Sequence, residues 1–74
     1  MQIQIKLVGL FKTDRFETEM RTYPDGAVVR DVVTDLRLPL VHLGIILLND
    51  LHAEMDTPLA DGDALTLLPF VDGG

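Results

Sequence analysis

Seventy-four residues make one domain, of a size that buries only roughly 60% of the surface its unfolded chain exposes, and an apolar share of 47% supports a single core without staples. The sequence holds no cysteine, which excludes disulfides and thiolate metal sites. Twelve acidic against six basic side chains leave a formal charge of −6, opposing attachment to nucleic acid or anionic lipid and suiting either a basic partner surface or plain solvation.

The chain opens with Ile3, Ile5 and Leu7 alternating with Gln2, Gln4 and Lys6, which predicts a strand with one face on the core. That stretch also lacks the uninterrupted apolar run of a targeting segment, and no apolar run is long enough to span a membrane. A cytoplasmic protein is expected. Gly9-Leu10-Phe11 breaks the alternation, and Lys12-Thr13-Asp14-Arg15 reads as a polar connection. Phe16, Thr18, Met20 and Thr22 then alternate with Glu17, Glu19 and Arg21, giving a second strand whose charged face is wet and which pairs with the first as a hairpin.

Tyr23-Pro24-Asp25-Gly26 is a turn: proline fixes φ, Asp25 bonds its own backbone and Gly26 accepts positive φ. A helix follows, because Val29, Val32, Val33 and Leu36 fall at helical spacing with Arg30, Asp31, Thr34 and Asp35 opposite. Valines are weak helix formers, so packing must hold it. Leu38-Pro39 stops it. Residues 43–48 are apolar on both faces, as expected of a strand buried inside the domain. Asn49-Asp50 is a tight turn before the short return strand 51–54, and Asp61-Gly62-Asp63 launches a last strand, 64–68. The reading is a small mixed α+β domain in ββαββ order.

Self-contained catalysis is not expected. Serine and cysteine are absent, and the threonines have no general base nearby in sequence. His42 and His52 lack the carboxylates of a metal site, and Asp61 and Asp63 are explained by the turn, so neither a metal nor a bound cofactor is expected. What remains is the end of the sequence. Gly73 and Gly74 follow directly on a strand and the stiff Pro69, so a short tether holds them clear of residues 1–69 as a tail spanning 70–74. Two glycines fit a channel too narrow for other residues and leave the carboxylate of Gly74 unshielded as a reactant. A carboxylate must first be joined to a better leaving group such as phosphate, which implies a partner enzyme. Phe70, and Leu68 if it faces outward opposite Leu65 and Leu67, are candidate docking residues, with Val71 and Asp72 beside them.

Several pieces in this order resemble the ubiquitin-like β-grasp sulfur carriers, namely the small subunit of molybdopterin synthase and the thiamine-pathway carrier. They are the opening strand running into Leu7-Val8-Gly9-Leu10-Phe11, Pro24-Asp25-Gly26 before the helix, Leu38-Pro39 after it, and Asn49 at a hairpin. The most specific is Thr57-Pro58-Leu59-Ala60-Asp61-Gly62-Asp63, then a strand and PFVDGG. The resemblance implies a β-grasp fold, a mixed sheet packed on one main helix with the first and last strands parallel neighbours. It also implies an activating enzyme that spends ATP to adenylate Gly74, a sulfur donor that converts the adenylate to a thiocarboxylate, and the large subunit of a synthase as acceptor. Conjugation to lysines, as in ubiquitin-like modifiers, and an inert tail are the rival expectations. Three positions depart from the family pattern: Asp72 where a small residue is usual, Phe70 in place of a second proline, and Val28 where a capping threonine is common.

Overall fold

The computed structural model describes residues 1–70. Five strands form one mixed sheet: β1 (Gln2–Leu7), β2 (Thr18–Thr22), β3 (Leu43–Leu48), β4 (Leu51–His52) and β5 (Ala64–Pro69). One helix, α1 (Val29–Asp35), lies between β2 and β3 in the chain, with 3₁₀ turns at Gly9–Lys12 and Leu40–His42. Counting the short β4, the order is ββαβββ, and the strands lie side by side as β2-β1-β5-β3-β4. β1 and β2 are antiparallel, as expected of the hairpin, and β1 runs parallel to β5 with Ile5 opposite Leu65.

Alternation places the core. Ile3, Ile5 and Leu7 from β1 and Leu65 and Leu67 from β5 are fully buried against Val29, Val32 and Val33 of α1. Burying each such side chain contributes about 1.5–3 kcal/mol, which is how a helix rich in valine holds without favourable propensity. Phe11 completes this core. The break at Gly9 (φ +59°) starts a 3₁₀ turn that drives the ring inward, so a segment read as a mere interruption supplies the largest fully buried side chain.

The helix starts with half a capping box. The Asp31 carboxylate accepts the Val28 N–H at 2.8 Å, but valine has no side-chain oxygen to return the bond to Asp31. At the other end Leu38 N–H donates to the Val33 carbonyl and Arg37 N–H to that of Thr34, a Schellman ending with Arg37 at φ +54°. Arg15 donates from its guanidinium to the Leu36 and Arg37 carbonyls at 3.2 and 3.1 Å, satisfying acceptors the helix leaves open.

Two strand readings need correction. The Met20 face of β2 is not its core face: Arg21 and Glu19 sit opposite Ile3 and Ile5, while Met20 is 54% exposed on the other side. β2 is an edge strand beyond the cover of the valine stripe, so charged groups are tolerated there, satisfied by one another and by Asp35. Nor is β3 buried on both faces. It has a strand on either side, yet only Ile46 is buried, because α1 covers one face of the sheet and nothing among the described residues covers the other.

Candidate functional site

The open face of β3 and β5 is where the tail begins. Register puts Ile45 opposite Leu68 and Leu47 opposite Thr66, all on the side away from α1, since the alternate pairs Ile46–Leu67 and Leu48–Leu65 point to the core. Leu68 therefore faces outward, which meets the condition on which the sequence made it a candidate. Just ahead of β3, the 3₁₀ turn presents Leu40 and Val41, and beyond β5 Phe70 is 64% exposed rather than folded onto the sheet. Gly44, Ile45, Leu68, Pro69 and Phe70 line an open apolar groove of about 420 Å³. Exposed large apolar side chains gathered on one face of a small domain make it a candidate binding surface.

Backbone contacts fix where this surface ends. Pro69 is buried and pairs with Leu43, and Phe70 N–H donates to the carbonyl of His42, one step past the last strand residue. The loop before β5 is held as firmly: the Asp61 carboxylate accepts the Gln2 N–H at 2.6 Å and Asp63 accepts that of Ala60 at 2.7 Å. Asn49, with positive φ in the β3–β4 turn, bonds both Asp63 and the Ala64 N–H. Thus Asp61 and Asp63 are turn residues, as read. His42 and His52 are both exposed, and among the described residues no group of acidic, histidine or cysteine side chains could hold a metal ion.

Val71, Asp72, Gly73 and Gly74, the remaining residues singled out from the sequence, lie outside the described residues. What the sequence did not reveal is Gly44, whose neighbour is distant in the chain. Gly44 sits at an irregularity where β3 shifts register between Leu43 and Ile45, and a Cβ there would meet the Phe70 N and Cα at 2.8 Å. The apolar run 43–48 hid it.

A second, polar cleft lies at the opposite edge of the sheet, between the end of α1 and β2. Tyr23 donates from its hydroxyl to the Asp35 carboxylate at 2.9 Å, and Arg21 reaches the same oxygen at 3.4 Å while lying over the Phe16 ring. Burial, then the hydrogen bond to Asp35, hold the Tyr23 phenol well above its ordinary value. The Arg21 pKa is also raised, chiefly by the hydrogen bond to Glu19. With Arg15, Arg21 and Arg37 set against Asp14, Glu19 and Asp35, the cleft is balanced in charge and serves the fold.

A mixed five-stranded sheet wrapped on one helix, with its last strand parallel to its first and leading into a Gly-Gly sequence, defines a ubiquitin-like β-grasp domain of the sulfur-carrier type. The chain belongs to the ThiS family, whose model matches residues 8–74. It is similar to a chain of the complex of subunits 1 and 2 of the molybdopterin-converting factor from Helicobacter pylori 26695, at 31% identity and TM-score 0.68 over 100% of both chains. SAMP1 from Haloferax volcanii superposes at TM-score 0.81 with 22% identity over 100% of both chains. Urm1 from Trypanosoma brucei does so at 0.69 with 18% identity, over 99% of this chain and 95% of its own. The last two show the shared fold alone. No curated protein sequence matches. Among the described residues no helix is long and apolar enough to cross a membrane.

Proposed function

We propose that the protein is a sulfur carrier, not itself an enzyme, whose Gly74 carboxylate is adenylated by a separate activating enzyme and converted to a thiocarboxylate. The observation that carries this reading is the placement of an apolar face, exposed Ile45 and Phe70 with half-buried Leu68 between them, at the root of the Gly-Gly tail. A reactant that must be handed from one enzyme to the next needs a docking surface beside the reactive end, and here the two adjoin. Activation exchanges pyrophosphate of ATP for the carboxylate oxygen of Gly74. Sulfur at the sulfide level, HS− or its equivalent, then attacks the acyl carbon; AMP leaves with the oxygen that had attacked ATP, a proton is released, and the thiocarboxylate remains.

The acceptor follows from the Helicobacter relative, which is part of a two-subunit complex: the large subunit of a molybdopterin-type synthase is the proposed partner, with residues 1–69 as the docking body and 70–74 as the tail. Asp72 is expected within about 7 Å of the terminal carboxylate in an extended tail. Their repulsion, on the order of 2 kcal/mol at a protein surface, makes an enzyme with an Arg or Lys opposite Asp72 the matched partner. A cytoplasmic location suits these partners.

The test is ATP–pyrophosphate exchange by the cognate activating enzyme on the intact chain and on a chain lacking Gly74. Exchange that vanishes on deletion, with the melting temperature unchanged, is expected. Equal exchange with both would place activation elsewhere.

A further inference from the structure

We infer that Gly44 is a positioning residue for the tail: by leaving out a side chain at the β3 irregularity, it lets the backbone of Phe70 lie against the sheet and sets where the tail departs. The β3–β5 ladder is interrupted at Gly44, where Leu43 pairs with Pro69 but Ile45 pairs with Leu68, so one β3 residue has no opposite number. Such an irregularity bends its strand. Here the bend brings the His42 carbonyl to the Phe70 N–H, extending the hydrogen bonding one residue beyond β5.

The space for this contact exists only because residue 44 is glycine. An added Cβ would sit 2.8 Å from both the N and the Cα of Phe70 and 3.1 Å from the Pro69 carbonyl carbon. Those are backbone atoms, so no rotamer change relieves the clash. Gly44 does not use glycine's other property, because its φ lies outside the left-handed region, unlike Gly9, Gly26 and Gly62. It is also exposed and contributes nothing to the core. Gly44→Ala therefore displaces Phe70 without straining its own backbone or emptying the interior. A reactive end held by a short tether depends on its point of departure, and a shift of about 1 Å in the placement of reacting groups can lower a rate by about a hundredfold.

This inference rests on the sulfur-carrier reading for its functional consequence, but its structural half is measured separately. In amide hydrogen exchange, the Phe70 N–H is expected to exchange at least about tenfold faster in Gly44→Ala, as a lost hydrogen bond of about 1.4 kcal/mol implies, while the amides of Val8 and Asn49, which donate to the Leu67 and Ala64 carbonyls, keep their protection. In the activation assay the variant is expected to lose kcat/KM on the order of tenfold or more. Unchanged Phe70 exchange, or faster exchange with unchanged activation, overturns the assignment. Failure of activation in the unaltered chain would instead count against the carrier reading and leave the exchange result standing. If Gly44→Ala does not fold, Phe70→Pro compared with Phe70→Ala carries the test, since both lack the ring and only the proline lacks the N–H. Equal activation of those two overturns the anchor.

Discussion

Replacing Phe70 with alanine separates docking from folding. A phenylalanine side chain presents about 200 Å², and at 64% exposure about 130 Å² of it remains to be covered by a partner. At about 25 cal/mol per Å² that is about 3 kcal/mol, or about two decades in Kd. This is an upper bound, because alanine keeps its Cβ and association carries its own entropy loss. An affinity loss of about tenfold to a hundredfold for the activating enzyme, measured by calorimetric titration, is expected. The part of the ring already covered is about 70 Å², which limits the stability loss to about 2 kcal/mol. Paired titration and thermal melts decide the matter: a large fall in melting temperature with unchanged affinity would show that Phe70 serves the core and not the interface.

Two further predictions concern the domain itself. Because the Tyr23 phenol is raised above its unfolded value near 10, its stabilisation is fully present below about pH 10 and is lost as pH rises through the higher folded value. Tyr23→Phe should thus be less stable by about 1 kcal/mol at neutral pH, with the gap narrowing as pH rises above about 10; a gap that stays constant across that window in denaturant melts would refute it. Val28→Thr completes the capping box that Asp31 half makes and should add about 0.5–2 kcal/mol, read as a rise in the denaturation midpoint at constant m-value. No rise would show that the threonine hydroxyl does not reach the Asp31 N–H.

Local periodicity made β1, α1 and β5 legible, and turn chemistry made Asn49-Asp50 and Asp61-Gly62-Asp63 legible, since in each the deciding contacts lie within a few residues. The parallel pairing of β1 with β5 was not legible from the pattern of either strand. It came from the resemblance, and the register of Ile5 on Leu65 bears it out. Alternation in β2 gave the period but not the phase, because an edge strand past the helix has no apolar demand to choose between Met20 and Arg21. The apolar run of β3 was mistaken for two buried faces, although a strand with one uncovered apolar face reads the same in sequence. Of the residues that line the apolar groove, Leu68 and Phe70 were singled out from the sequence. Gly44 was not, because its role depends on a backbone atom 26 positions later, as the contact between Gly44 and Phe70 makes plain.

Sulfur carried on Gly74 would be seen in an intact-mass spectrum of the full chain. After incubation with the cognate activating enzyme, ATP and a sulfur donor, the expected result is the mass gain of one sulfur replacing one oxygen, confined on fragmentation to Gly74. Conjugates to lysine side chains with no thiocarboxylate, or a mass that does not change while the activating enzyme turns over ATP, would contradict it.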